Sequence, residues 1–447
     1  MLLMIRTSTP PVIVAALLGW LLVVAPALAQ APLTLQDAIA KATAGNADAR
    51  IAALAEKEAG HRVDQARAGF LPRVDASETW QRGNQPVFVF GSLLAQRRFT
   101  EADFALDALN RPDALDNFRV AVGAEQSIYD GGATRARVRA ARLGVALAAS
   151  GTVGVRQALA VAATQAYGDV LQAEASRQAA DAALEAAAAD LRRTTDRRDA
   201  GLVTDADVLA VEVHRATVEE ARLRASLASD LARAELNRVM GEPLDTVFVL
   251  APLAPAEAPA RQALAVLEAE ALAQRPELQQ ARLAVDLAGT QVAEAKASYM
   301  PQVFAQAGWE GNGGAWNDRA GSWGVAAGVR INVFRGFADK ARIAEVSEAT
   351  RRRALERERA ETAIRLDVRS AVARLESAHA RDALARSVVT QAAERQRIVR
   401  DRYEQGLTDV TALLRAAESV VQAQEQQIRA RVDVLVHAAS LDRALGR

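Results

Sequence analysis

The sequence predicts a mainly helical protein with a small β part, built as two copies of one unit. Three observations carry this. Two stretches, 132–198 and 336–403, run 67 and 68 residues without a proline. Four short segments alternate apolar and polar side chains with period two. The order of these segments recurs: Gln65–Pro72 (QARAGFLP) matches Glu294–Pro301 (EAKASYMP) at an offset of 229, and Ser127–Gly131 matches Asn332–Gly336 at an offset of 205. Arg137, Gly201 and Gly241 fall on Arg342, Gly406 and Gly446 at the second offset. A fixed self-match over most of the chain marks a repeat. The change of offset places a 24-residue insertion in copy one, between Trp80 and Phe118.

The elements follow in order. Residues 1–29 carry Arg6, an apolar run of 13 residues from Val12 to Val24, and an A-x-A ending at Ala29. That is the layout of a secretory signal peptide, and the run is too short to span a bilayer as a helix. Repeat one then covers 30–241. It opens with a helical stretch, Leu33 to Phe70, stopped by Pro72. A β-hairpin over 72–130 follows; in its second strand Phe118, Val120, Val122 and Ala124 alternate with Arg119, Gly123 and Glu125. Glu78 interrupts the apolar set of the first strand, Val74, Ala76 and Trp80.

A glycine turn at Gly131-Gly132 leads into the first long helix, on the order of 100 Å at 1.5 Å per residue. Val155, Leu159, Ala162, Ala166 and Val170 give it a coiled-coil stripe. A turn at Ala200-Gly201-Leu202 leads to a return helix, Asp205–Met240. Residues 242–260 are rich in proline and alanine and read as an irregular equatorial linker. Repeat two, 261–447, repeats the plan: a helical stretch Arg261–Tyr299, a hairpin 301–334, a long helix, a turn at Gln405-Gly406-Leu407 and a return helix Thr408–Leu445. In length the Asp205–Met240 helix plus Arg261–Tyr299 match one long helix, and the C-terminal helix plus Leu33–Phe70 match the other, which suggests those pairs stack end to end.

Composition narrows the function. The chain has 447 residues, of which about 100 are alanine and 4% aromatic. Alanine favours helix and lets backbones approach, so this composition suits close-packed helices rather than a thick core. The chain has no cysteine, which excludes a disulfide scaffold, a thiolate metal site and an anchor on an N-terminal cysteine. Zero net charge argues against a nucleic-acid partner. The four histidines, His61, His214, His379 and His437, make no metal motif and read as helix-surface residues. Gly311-Asn-Gly-Gly314 lacks a P-loop lysine and reads as an outward hairpin loop. No enzyme, metal or cofactor is expected. With no long apolar helix after the signal, a β-barrel is the available hold on a membrane. Four strands cannot close a barrel, so they must be shared between chains.

The doubled QARAGFLP/EAKASYMP motif, the Tyr129-Asp-Gly-Gly and Phe334-Arg-Gly turns and the doubled Gly-Leu tips resemble the TolC-like outer-membrane efflux family, across essentially the whole mature chain. The resemblance implies a homotrimer in the bacterial outer membrane. Four strands per chain would form a shared transmembrane barrel, and the helices would form a periplasmic α-barrel. It implies a passive exit duct for a tripartite efflux or type I secretion system, partnered by a periplasmic adaptor, an inner-membrane transporter and outer-membrane lipid. Gly201, Leu202, Gly406 and Leu407 would form the adaptor-docking tip. Asp207 and Tyr403 match gating positions. Where a member of that family has acidic residues six and nine positions after the second tip glycine, this chain has Ala412 and Arg415; where that member has an arginine two positions after, this chain has Thr408. Asp409 is the acidic residue left nearby. The alternative function is a periplasmic coiled-coil adaptor, which also has long helical hairpins.

Overall fold

The computed structural model describes residues 32–252 and 262–447; the signal-peptide reading and part of the linker lie outside them. The first helical stretch is two helices, α1 (Leu35–Gly45) and α2 (Ala47–Arg67). Asn46 divides them. Its side chain caps α2 by accepting from the Asp48 amide at 2.8 Å, and its Nδ2 donates to the Val239 carbonyl at 2.8 Å. A short 3₁₀ turn leads to β1 (Arg73–Gly83). The insertion forms α3 (Pro86–Ala95) and α4 (Leu106–Asn110) before β2 (Leu115–Tyr129). Then come α5 (Ala133–Asp199) and α6 (Asp205–Met240).

The second repeat opens with α7 (Leu264–Gln274) and α8 (Pro276–Ala297), again divided, this time at Arg275. Proline disfavours the helical conformation in the residue before it. The Arg275 guanidinium is buried and paired with Glu277 at 3.0 Å and Asp367 at 3.1 Å. The chain continues through β3 (Gln302–Ala315), β4 (Asp318–Arg330), α9 (Ala338–Glu404) and α10 (Val410–Leu445).

Each long helix is backed along its length by shorter ones. α5 packs on α6, α2 and α8, and α9 packs on α10 and α8. α5 contains an 18-residue window of mean hydropathy 1.4, apolar enough to cross a membrane by composition; its neighbours make it a wall helix instead. The end-to-end stacking differs from the length-matched expectation. α6 stops against the start of α2: a Cβ on Gly241 would lie 2.6 Å from the Gly45 carbonyl oxygen. α10 stops against α8: a Cβ on Gly446 would lie 2.8 Å from Gln274. Each repeat therefore stacks its own two short helices. Breaks at Asn46 and Arg275, missed in sequence, create the ledges on which they land.

The packed middle is alanine-rich, as composition suggests. Ala38, Ala42, Ala163 and Ala166 surround Tyr167, Val170, Leu236 and Met240. Tyr167 is 1% exposed, and its single O–H lies between the carbonyls of Ala251 (2.7 Å) and Leu33 (3.0 Å), the first being the closer acceptor. That ties the start of repeat one and the linker to α5. α5 and α10 approach so closely that a Cβ on Gly168 would meet Val432 at 2.5 Å.

The four strands form one antiparallel sheet in the order β1-β2-β3-β4. Two boundaries differ from expectation. β4 ends at Arg330, opposite Gln302, rather than at Val333; Pro301 lies just before that last rung and has no N–H to give a ladder. Gly311–Gly314 lies inside β3, not in a hairpin loop, and Gly311, Asn312 and Gly313 are buried.

Candidate functional site

Two parts of the fold can serve a duct: the helix tips and the sheet. At the first tip, the Gly201 amide donates to the Arg198 carbonyl (2.9 Å) and the Leu202 amide to the Arg197 carbonyl (2.8 Å). At the second, Gly406 donates to Tyr403 (3.0 Å) and Leu407 to Arg402 (2.8 Å). Both are Schellman closures, with the glycine at φ +73 and +74. A Cβ at either would meet nothing within 4 Å, so the backbone conformation alone selects glycine. Leu202 and Leu407 are left exposed at the end of the molecule.

The caps keep the repeat offset of 205. Thr204 caps α6 and Asp409 caps α10. The Asp409 carboxylate accepts from the Ala412 amide at 2.8 Å, so α10 starts at Val410 rather than Thr408. Asp207 completes a capping box: its Oδ2 accepts from the Thr204 amide (2.9 Å) and hydroxyl (2.8 Å). Those two bonds, the backbone one first, hold its carboxyl below the usual aspartate range.

Tyr403 lies in the last turn of α9. Its hydroxyl is buried and has no partner among the described residues. The Arg197 guanidinium sits over its ring, 4.9 Å from the centroid, and Arg197 Nη1 donates to its carbonyl at 3.3 Å. A cleft of about 470 Å³ opens here, lined by Arg193, Arg197, Leu202, Tyr403, Val410 and Leu413. Asp207 and Tyr403 are not bonded to each other within the protomer: the Asp207 bonds go to Thr204. Sequence reasoning missed Arg197. The signal was present, an arginine one turn before the tip glycine, but it was indistinguishable from the charged faces elsewhere on the helices.

The sheet separates its chemistry by face. Cross-strand partners in an antiparallel ladder share a face. Val74, Ala124, Ala307 and Val325 form one rung; Ala76, Val122, Trp309 and Trp323 form the next. The opposite face carries Arg73, Glu125, Gln306 and Ala326, then Asp75 with three glycines, Gly123, Gly308 and Gly324. All four apolar sets thus coincide. Glu78 falls on the apolar face, where Arg319 pairs with it at 2.7 Å. On the polar face Arg119 and Glu310 pair at 2.6 Å. Among the described residues, β1 and β4 each have one edge without a strand.

The model of outer membrane efflux proteins matches residues 38–242 and 267–447, so it covers both repeats. The chain belongs to the outer membrane efflux protein family. It is an outer-membrane channel of the TolC-like type, not an enzyme, and the adaptor alternative is set aside. Protein CyaE of Bordetella pertussis is 29% identical over 358 residues, covering 75% of this chain and 72% of that protein. The outer membrane efflux protein BepC of Brucella suis is 24% identical over 419 residues, covering 93% and 85%. The fold is similar to that of the Campylobacter jejuni CmeC outer membrane channel, with a TM-score of 0.77 at 14% identity over 92% of this chain and 85% of that one. TolC-like channels are trimeric and work with tripartite pump components.

Proposed function

We propose that three copies of this chain assemble into a continuous duct for efflux or type I secretion. The observation that carries this is the sheet: one face with a band of apolar rungs, one polar face and, among the described residues, two free edges. Three sheets joined β4 to β1 make 12 strands, with the apolar face toward lipid and the polar face toward water. The helices continue the wall into the periplasm. The exposed tips at Gly201-Leu202 and Gly406-Leu407 dock a periplasmic adaptor, which links the duct to an inner-membrane transporter. Tyr403 and Asp207 hold the resting tip narrow: the Tyr403 hydroxyl, buried without a partner in the protomer, gains one as the tips rearrange on assembly, and Asp409 adds negative charge at the entrance. Conduction is passive and the duct carries out no chemistry.

The test is an outer-membrane fraction run unheated on a denaturing gel. A heat-sensitive band of trimer size is expected. A chain that runs as a monomer and fractionates with soluble periplasm overturns the reading.

A further inference from the structure

Segment 84–114, the part repeat two lacks, joins β1 to β2 at the end of the sheet farthest from the helices. It is folded back over the polar face. Gln96 Nε2 donates to the Asp116 carbonyl (2.9 Å) and to Asn117 Oδ1 (3.0 Å). Asn117 Nδ2 donates to Asn312 Oδ1 at 2.9 Å. Asn117 and Asn312 both lie on the polar face, yet they are 8% and 3% exposed. Arg97, at φ +55, donates from Nη2 to the Gly321 carbonyl at 3.0 Å. Phe99 meets both Phe90 and Phe104 edge to face at 5.0 Å, which ties the segment's own turns together. A buried side-chain network of this kind fixes one docked position.

The segment leaves large apolar side chains uncovered among its charged ones. Val87 is 85% exposed, Leu106 78% and Phe104 65%. Large apolar side chains left this exposed point to a contact surface. We propose that three copies of segment 84–114 meet at the axis and narrow the outer mouth, each covering the exposed apolar side chains of the next. This rests on the trimeric duct above. Twelve strands about 4.8 Å apart and tilted about 40° enclose a barrel roughly 24 Å across between backbones. A helix standing on the wall takes up on the order of 10 Å. Three copies of α3 therefore reach the axis. The mouth becomes a second size filter, independent of the periplasmic tip, and the insertion sets the largest cargo that can leave.

The chain has no cysteine, so single substitutions give single thiols. Ala326→Cys places one on the polar face below the segment. A polyethylene-glycol maleimide of several kilodaltons, added to intact cells, is expected to leave it unlabelled, while a small maleimide labels it. Replacing 86–113 by a short Gly-Ser turn, or the milder Gln96→Ala, is expected to raise bulky labelling severalfold. Val87→Cys, oxidised in the membrane, is expected to give a cross-linked dimer on a non-reducing denaturing gel. If the heat-sensitive trimer is intact, yet bulky labelling is equal with and without the segment and Val87→Cys gives no cross-link, this inference fails and the duct stands. If the unsubstituted chain forms no trimer, both fail.

Discussion

The guanidinium of Arg197 lies 4.9 Å from the centroid of the Tyr403 ring, and its Nη1 reaches the Tyr403 carbonyl at 3.3 Å. These residues close α5 and α9, so one arginine joins the ends of the two long helices. Stacking and one hydrogen bond together contribute about 1–2 kcal/mol. Arg197→Ala is expected to loosen the tip and raise single-channel conductance in planar bilayers, with the trimer still heat-sensitive on gels. Arg197→Lys keeps the charge but loses the planar stack, so it is expected to fall between. Unchanged conductance in Arg197→Ala would remove this residue from the resting gate.

Tyr403→Phe isolates the hydroxyl. Within the protomer that hydroxyl is buried without a partner, and leaving such a group unpaired costs about 1–3 kcal/mol. On the gating role proposed above, the tips rearrange on assembly and bring this hydroxyl a partner. Tyr403→Phe is therefore expected to raise conductance while leaving the ring stacked under Arg197 and the thermal midpoint nearly unchanged. A gain in midpoint with no change in conductance would mean the hydroxyl stays unsatisfied in the trimer.

Two glycines with nearly the same φ separate conformation from space. Gly201, at φ +73, has open room for a Cβ, so Gly201→Ala is expected to cost about 1–2 kcal/mol, confined to the tip. Gly241, at φ +75, would bring its Cβ 2.6 Å from the Gly45 carbonyl oxygen. Gly241→Ala adds a backbone clash where α6 lands on α2 and is expected to cost distinctly more. Denaturant unfolding of the two variants side by side checks the order; equal losses would contradict the stacking of α6 on α2.

Acid should weaken the cap at the start of α6. The folded-state pKa of Asp207 lies below its ordinary value of 3.8, through the bonds from Thr204. Its contribution is therefore present above that ordinary value and is lost as pH falls through the lower folded value. Amide exchange at the start of α6 is expected to accelerate on acidification in this range. Asp207→Asn should flatten the dependence. A profile unchanged by Asp207→Asn would assign it to another carboxylate.

The repeat, both long helices and the strand alternation were legible because each depends on local pattern: a missing proline, a period of two, a glycine at a turn. The α6 span was readable to the residue, since Thr204 and Gly241 cap it at either end. What was not legible depends on contacts distant in sequence. Asn46 looks like any helix-surface residue until Val239 comes beside it. Glu78 looked like an error in a strand until Arg319, far along the chain, was placed next to it. Asn312 sat in a glycine run that reads as a loop, and only Asn117 and Gln96 make it a buried network. Arg197 needed the second repeat folded against the first.

Adjacent residues of β4 give the sharpest test of which face meets lipid. Val325 shares its rung with Ala307, Ala124 and Val74; Ala326 shares its rung with Gln306, Glu125 and Arg73. A charge at the lipid face of a barrel costs about 2–4 kcal/mol near the bilayer midplane, whereas the water-filled side tolerates it. Val325→Arg is therefore expected to reduce the heat-sensitive trimer and lower its denaturant midpoint. Ala326→Arg has Gln306 beside it and Glu125 two strands away in the same rung, and is expected to assemble normally with altered ion selectivity. Both positions are exposed in the protomer, so burial within one chain cannot produce the difference. Equal assembly of the two variants, or the reverse order, would show that the sheet does not present its apolar face to the membrane.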